Sequence, residues 1–304
     1  TKKASNPFHE RLLLSTDLAA KVATKPHTFE ISRNAPTNRR LSLIHPRSQH
    51  LVSIFYGKYE QFITNACSRS QYSIRYPSRV ATHYIDPRYV EEKLANSRLK
   101  GADEDPVGFR DQSRWASTYF SYKEYSLSHK FFDSDEFISM ERRHPFLMKL
   151  DISRCFDSIY THSIEWSMRG KDFSKDHLPN PRSSKTTFES TFDSVIRNAN
   201  QNETHGIVVG PESSRIFAEI VLQAVDRQIA ESIEDNRLSD IAIRRYVDDY
   251  YVFGNSEAEL DQIQLIIRTC LLRANLHLND GKKSITKRPF STKTSAPRFR
   301  VADA

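Results

Sequence analysis

The sequence contains few cysteines and no long apolar run. Its three cysteines, Cys67, Cys155 and Cys270, form no CxxC pair among 304 residues. That spacing excludes a zinc ribbon and a disulfide framework, so we expect buried, reduced thiols in a cytoplasmic protein. No stretch approaches the roughly 18 consecutive apolar residues that span a bilayer, and residues 1–25 lack the apolar segment of a signal peptide. Internal repeats and low-complexity tracts are also missing.

Charge is the second compositional signal. Lys and Arg outnumber Asp and Glu by 45 to 38, which gives a formal net charge of +7. Hydrophobic residues make up 38%, low for a globular protein but above the disordered range, so a sizeable core can form. A basic surplus favours polyanionic partners through counterion release. We therefore expect nucleic acid as a partner, rather than a membrane.

Apolar periodicity predicts an α+β fold. Residues 210–235 form the clearest helix, with Pro211 in its first turn and an apolar stripe from Ile216 to Ile233. The capping box "SEAE" at 256–259 opens a second amphipathic helix. A buried strand begins at residue 146, and a hairpin occupies 241–253. The predicted order is therefore strand, helix, hairpin, helix, strand.

Other segments carry weaker patterns. Helical spacing covers residues 48–63, residues 10–22 have helical potential, and Ser134 or Asp135 caps a helix over 134–143. We interpret 96–113 as a loop and 170–205 as a polar insertion with one helix near 186–198. The aromatic-rich stretch 115–147 is either a β-rich core patch or a stacking surface for bases.

Two adjacent carboxylates interrupt the strand-like sequence "RRYVDDYYVF" at 244–253. Because Asp tolerates a bent backbone, the simplest interpretation is a hairpin with Asp248 and Asp249 at its tip, and an ordinary surface turn is the alternative. The apolar segment "LMKLDIS" also ends in a carboxylate, Asp151. If both strands share a sheet, the acids converge and repel one another unless a cation neutralises them. An oxygen-only ligand set suits Mg²⁺.

Phe156 follows Asp151 by five residues. If the chain turns from strand to helix there, the ring lies beneath an incoming sugar and excludes a ribose 2′-hydroxyl by its shape. A core phenylalanine is the alternative. Two Mg²⁺ ions beside the acids would activate a 3′-hydroxyl and stabilise a leaving pyrophosphate.

These segments together resemble a known family. In chain order, "LMKLDISRCFDSIY", "GIVVGPESSRIFAEI" and "RRYVDDYYVF" resemble motifs A, B and C of reverse transcriptases, and "LHLNDGKKSI" resembles motif D. The segment "DSIYTHSIEW" resembles more particularly the prokaryotic abortive-infection and defence-associated reverse transcriptases. The resemblance implies a right-hand polymerase with an antiparallel palm sheet and packed helices. Its parts would be an N-terminal extension (1–38), fingers (39–145), a palm (146–290) and a tail (291–304), with no recognisable thumb.

The resemblance also implies roles for individual residues. Asp151, Asp248 and Asp249 become catalytic acids that bind two Mg²⁺ ions, for which Mn²⁺ can substitute, and the Ile152 carbonyl becomes a further ligand. Phe156 becomes the sugar gate. The residues expected to contact nucleotide, template or pyrophosphate are Arg75, Arg40, Gly206, and Lys282 or Lys283, with Lys283 the expected proton donor.

The implied activity is RNA-directed DNA synthesis from dNTPs in anti-phage defence, with a template or noncoding RNA and a DNA product as partners. Many reverse transcriptases carry Pro-Gln-Gly in motif B, whereas this sequence has "THG", with His205 in place of the Gln. Template-independent or protein-primed synthesis by the same site is one alternative, and a catalytically silent nucleic-acid-binding scaffold is another. The thumb would lie in a part of the protein beyond this sequence, or its role would be taken by an RNA, a homo-oligomer or a second protein.

Overall fold

A computed structural model describes residues 23–34, 37–81, 83–84, 115–116, 118–123, 125, 127–170 and 187–290. The elements before residue 146 are β1 (His27–Asn34), β2 (Thr37–Leu43), α1 (Pro46–Cys67), β3 (Pro77–Val80), β4 (His83–Tyr84), β5 (Trp115–Ala116), β6 (Phe120–Tyr122), α2 (Ser128–Phe132) and α3 (Asp135–Arg143). The later elements are β7 (Phe146–Ser153), α4 (Cys155–Ser158), α5 (Ser163–Arg169), α6 (Phe188–Asn198), α7 (Glu212–Asp235), β8 (Ala242–Tyr246), β9 (Asp249–Gly254), α8 (Glu257–Arg273), β10 (His277–Leu278), a 3₁₀ turn (Asp280–Lys282) and β11 (Ser284–Lys287).

An antiparallel sheet of order β10–β7–β9–β8 forms the centre of the fold, and β11 also pairs with β7. Strands β7 and β9 run side by side from the pair Phe146–Gly254 to the pair Asp151–Asp249. Strand β8 joins β9 through a tight hairpin. The predicted α+β order of strand, helix, hairpin, helix and strand is therefore confirmed by β7, α7, β8–β9, α8 and β10.

The two faces of the sheet are covered differently because side chains alternate along each strand. Met148, Leu150 and Ile152 of β7 are buried in the larger core, which includes the apolar stripes of α7 and α8. Each such side chain stabilises the fold by about 1.5–3 kcal/mol relative to an exposed position. The opposite face carries a smaller aromatic cluster, whose buried rings are Phe131, Phe137, Tyr251, Phe253 and Phe290.

The aromatic-rich stretch is a core patch, as expected, but it is less β-rich than predicted. Phe120 lies on β6, whereas Phe131 and Phe137 lie on α2 and α3, and all three are buried. Ser134 accepts a hydrogen bond from the Phe137 N–H and caps α3, as predicted. Helix formation there follows from capping and from tertiary packing, which override the β-propensity of the rings.

The helix predicted near 186–198 is confirmed, but its packing differs from that expected of a polar insertion. Helix α6, capped by Thr187, buries Phe188, Phe192 and Val195 in the larger core. The polar residues of the segment masked this apolar stripe in the sequence. The predicted helix at 10–22 and the predicted loop at 96–113 lie outside the described residues.

The remaining helix predictions are confirmed. Helix α1 is longer at both ends than the predicted 48–63, Pro211 is the N-cap of α7, and Ser256 caps α8. Cys67, Cys155 and Cys270 are free and buried, as expected. In the described part of the chain, no helix combines the length and apolar content needed to cross a membrane.

Candidate active site

Two acids face each other across the central pair of strands. Asp151 lies near the end of β7, and Asp249 is its cross-strand partner at the start of β9. Directly opposite residues of an antiparallel pair have Cβ atoms about 5 Å apart, so their side chains share one face of the sheet. The same face carries Lys149 and Tyr251 one step further along the strands.

The third acid, Asp248, lies in the hairpin turn beside them. Tyr246 pairs with Asp249, so the turn consists of Val247 and Asp248. Val247 has φ +57, the left-handed conformation that two-residue hairpin turns require at this position. A β-branched residue adopts it only at a cost of about 1–3 kcal/mol. The Ile152 N–H donates to the Asp248 carbonyl oxygen at 3.1 Å, which fixes the turn against β7. The sequence expectation that the three acids meet is thus confirmed in placement.

The electrostatics of the three acids show an excess of negative charge. Burial, together with the neighbouring carboxylates of Asp248 and Asp151, raises the pKa of Asp249 to about 7. Burial also raises the pKa of Asp248, and Asp151 acts in the same direction. Burial lowers the pKa of Lys149, although Asp249 opposes that shift. This face of the sheet therefore favours added positive charge.

Lys282 supplies part of that charge. Its Nζ lies 2.8 Å from Asp151 Oδ1, while the Asn279 side-chain amide donates to Asp151 Oδ2 at 3.3 Å. Lys283 points elsewhere, and its Nζ contacts Asp261 at 2.8 Å and Gln264 at 2.5 Å on α8. The two adjacent lysines, which the sequence could not separate, are therefore separated by the 3₁₀ turn.

The donor set of the three acids fits a hard cation in its chemistry. Carboxylate oxygens are the preferred ligands of Mg²⁺, and the hydrogen bond to Asp248 keeps the Ile152 backbone beside the turn. Within the described residues, no group of three or more His, Cys, Asp or Glu side chains is arranged to hold a metal ion. The carboxylate of Asp151 is instead bound by Lys282 and Asn279.

Phe156 lies on α4, directly after β7. Arg154, with φ +43, turns the chain between the two elements. The Phe156 ring is partly buried and packs against the larger core. Its carbonyl accepts from the Ile207 N–H at 2.8 Å, and the Gly206 N–H donates to Ile159 at 2.9 Å. The strand-to-helix turn expected at Phe156 is present, and the loop containing Gly206 lies against it.

Two basic side chains, Arg75 and Arg215, lie near the hairpin that carries Asp248. Arg75 lies over the Tyr122 ring at 4.1 Å, and the Tyr122 hydroxyl donates to Glu212 at the start of α7. Glu212 is also paired with Arg215 at 2.8 Å. Burial raises the pKa of Tyr246, and the charges of Arg75 and Arg215 oppose this shift, so both lie near the hairpin.

The sequence pointed to Arg40 on β2 and did not single out its neighbour Arg39. Both side chains are exposed, but Arg39 acts to lower the pKa of Asp248, whereas Arg40 lies opposite Glu30 in the β1–β2 hairpin. Strand alternation sends neighbouring side chains to opposite faces, but the sequence does not reveal which face meets the site. Neither Arg39 nor Arg215 stood out in the sequence.

Comparison with known protein families identifies the family of this chain. A family model described as reverse transcriptase (RNA-dependent DNA polymerase) matches residues 78–293. No curated protein matches the chain.

Among solved structures, apo telomerase from Candida tropicalis, truncated from its C-terminal domain, is 14% identical with a TM-score of 0.48, covering 89% of this chain and 51% of that one. Telomerase from Candida albicans with a TWJ fragment of telomeric RNA is 12% identical with a TM-score of 0.45, covering 89% and 44%. The BmCPV RNA-dependent RNA polymerase is 10% identical with a TM-score of 0.43, covering 91% and 21%. The chain spans about half or less of the length of these solved proteins.

Proposed function

Because this chain belongs to the reverse transcriptase family, we propose that it is an RNA-directed DNA polymerase that adds dNTPs to a 3′-hydroxyl. The observation that carries the proposal is the cross-strand pair of Asp151 and Asp249, with Asp248 in the adjoining turn. Residues 39–145 would act as fingers and 146–290 as the palm. Three acids on neighbouring strands form the kind of site at which developing negative charge is stabilised by bound cations.

The acids would hold two Mg²⁺ ions. Asp151 and Asp248 would be the principal ligands, with Asp249 and the Ile152 carbonyl in support. When bound, the ions lower the pKa of the attacking 3′-hydroxyl and neutralise the leaving pyrophosphate. The raised pKa values of Asp248 and Asp249 support this role, because a site with excess negative charge gains most from a divalent cation. Lys282 is bound to the carboxylate of Asp151 and would compete with a cation for it.

The basic side chains would bind the triphosphate. Arg75 and Arg39 are the nearer candidates, and we retain Arg40 as a weaker one because it lies opposite Glu30 on the neighbouring strand. Phe156 would lie beneath the sugar, where its ring excludes a 2′-hydroxyl by shape.

The last step needs a proton for the pyrophosphate. Lys282 is better placed than Lys283 to give it, because Lys282 contacts Asp151 whereas Lys283 is held by α8. The loop at Gly206 and the helix after it would lie along the template and the nascent pair.

A primer-extension assay tests the proposal. The chain is supplied with an RNA template, a DNA primer, Mg²⁺ and dNTPs, and Asp248→Asn is compared with wild type. The expected loss of rate is at least about 100-fold, since removal of one catalytic group typically costs that much or more. Asp235→Asn, exposed at the end of α7, is the matched control and should extend normally. Equal extension by Asp248→Asn and wild type would exclude the proposed site. Extension without RNA would instead favour template-independent synthesis.

The wider role rests on the resemblance of "DSIYTHSIEW" to defence-associated reverse transcriptases. We propose that the protein acts in the cytoplasm, with an associated RNA, in anti-phage defence. Sequencing of co-purified nucleic acid tests for the RNA and for any attached product. Plaque counts in cells with wild type and Asp248→Asn test the defence role, and equal counts would contradict it.

A further inference from the structure

A buried arginine lies directly beneath the turn that carries Asp248. Arg245 belongs to β8, and its side chain is 0% exposed. It points toward α7, where Glu219 and Asp226 are two helical turns apart and so lie on one side of the helix. A guanidinium is tolerated in such a place only when its charge and its donors are satisfied.

Every N–H of this guanidinium has an acceptor. The Arg245 Nε donates to Asp226 Oδ2 at 2.9 Å, and Nη2 lies 2.8 Å from the same oxygen. Glu219 accepts from Nη1 at 2.8 Å and from Nη2 at 3.0 Å. Nη1 also donates to the backbone carbonyl of Val247 at 2.9 Å. A lysine carries its three donors on one nitrogen and cannot span these groups.

The bond to Val247 holds the catalytic turn. Val247 directly precedes Asp248 and has φ +57, a conformation that a β-branched residue keeps only when its surroundings impose it. Arg245 fixes the carbonyl of this residue from below. On the same side, the Tyr250 hydroxyl donates to Asp226 Oδ1 at 2.7 Å, so both strands of the hairpin are tied to α7.

The same cluster also holds the segment that leads to Arg75. The Arg245 N–H donates to the Tyr72 carbonyl at 2.6 Å, and the Ile74 N–H donates to the Arg245 carbonyl at 2.9 Å. One step further, Gln223 donates to Glu219 at 2.6 Å and accepts from the Ser70 N–H. Residues 70–74 are therefore clamped to the strand that ends in the catalytic turn.

We propose that Arg245, with Glu219 and Asp226, is a positioning cluster that fixes the Val247–Asp248 turn and the segment before Arg75 in one geometry. This inference rests on the proposed nucleotidyl transfer, since it assigns the cluster to the alignment of metal ligands with the triphosphate site. Buried ion clusters often add little net stability compared with apolar side chains of similar volume. A positioning role accounts for a charged cluster at this place, where the backbone next to a metal ligand must not move.

The test compares Arg245→Lys with Arg244→Lys. Arg244 is one residue away on the opposite face of the same strand, where it pairs with Glu136 at 2.6 Å. The first measurement is hydrogen exchange by mass spectrometry in the metal-free proteins. We expect exchange at residues 246–249 and 70–74 to rise by about tenfold or more in Arg245→Lys, with α8 unchanged. Arg244→Lys should leave both segments protected.

Two further measurements address function. The Mn²⁺ affinity, read from the electron paramagnetic resonance signal of free Mn²⁺, should fall by about tenfold or more, as for other residues that orient metal ligands. In primer extension, kcat should fall by about tenfold or more, while KM for dNTP changes less than about threefold. Wild-type exchange in both segments together with an unchanged Mn²⁺ affinity would overturn the inference.

The role of Arg245 can be tested even if wild type is inactive or Arg245→Lys does not fold. If wild type binds Mn²⁺ but extends no primer, the proposed function fails, while the exchange and Mn²⁺ measurements still decide the role of Arg245. If Arg245→Lys does not fold, as judged by circular dichroism, the same measurements are made on Asp226→Asn. That substitution keeps the side-chain shape and removes one charge from the cluster, so the shifts should be in the same direction, at about threefold or more.

Discussion

A graded series of glycine-to-alanine substitutions tests whether backbone geometry holds the candidate site together. Gly210 lies in the loop before α7, has φ +131, and a Cβ added there would be 2.8 Å from the Ser42 carbonyl oxygen on β2. Gly170 has φ +90 but no atom within 4 Å of such a Cβ. Gly57, within α1, likewise has open space around it. Alanine therefore introduces backbone strain and a steric clash at Gly210, backbone strain alone at Gly170, and neither at Gly57.

The three substitutions should change the free energy of unfolding in different directions. Gly210→Ala should destabilise the protein by about 3 kcal/mol or more, because backbone strain costs about 1–3 kcal/mol and the clash with a carbonyl oxygen adds to it. Gly170→Ala should cost about 1–2 kcal/mol from strain alone. Gly57→Ala should stabilise by about 0.5–1 kcal/mol, since alanine is the better helix former.

Guanidinium unfolding followed by circular dichroism measures the series. Gly210→Ala should also raise KM for dNTP, because the displaced Ser42 lies on the strand that carries Arg39. Primer extension at saturating and limiting dNTP separates this effect from lost stability. If Gly210→Ala unfolded at the same or a higher guanidinium concentration than Gly57→Ala, the contact between this loop and β2 would be wrong.

Three further predictions concern the site itself. Lys282→Ala should slow primer extension by about tenfold or more. Lys283→Ala should only lower the free energy of unfolding, by about 1 kcal/mol or less. If Lys283→Ala were the variant that slowed extension, the proton-donor role would belong to Lys283. Phe156→Ala should reduce the dNTP-over-rNTP preference by about tenfold, and an unchanged ratio would assign the ring to the core alone. The pKa of Asp249 is raised to about 7 in the folded protein. Between the ordinary pKa of an aspartate and about pH 7, the folded protein therefore binds more protons than the unfolded chain. The free energy of unfolding of the metal-free protein should fall as pH rises through that window. In Asp249→Asn, the free energy of unfolding should fall by about 1 kcal/mol less per pH unit than in wild type. The measurement is unfolding in chelator at a series of pH values. The same pH dependence in variant and wild type would contradict the raised pKa.

Much of the fold could be predicted from local patterns. Helices α3, α7 and α8 follow from their caps and apolar stripes, and the β8–β9 hairpin follows from two acids between runs of β-formers. The meeting of Asp151 with Asp249 was predictable because each ends or begins a buried strand. Helix α6 was not recognised as core, because its polar residues obscure Phe188 and Phe192, which only the packing against α1 and α7 brings inside.

The sequence alone determined the acid trio, the α+β order and the family resemblance, because these depend on residue type and spacing along one segment at a time. Only the tertiary structure decided which member of each adjacent pair lies near the acids: Lys282 rather than Lys283 contacts Asp151, and Arg39 rather than Arg40 acts on the pKa of Asp248. The two members of each pair carry the same kind of side chain, but these side chains point in different directions. The direction of each is set by the elements packed around it. The same holds for Arg245, whose partners Glu219 and Asp226 lie on another element and meet it only when α7 packs against the sheet.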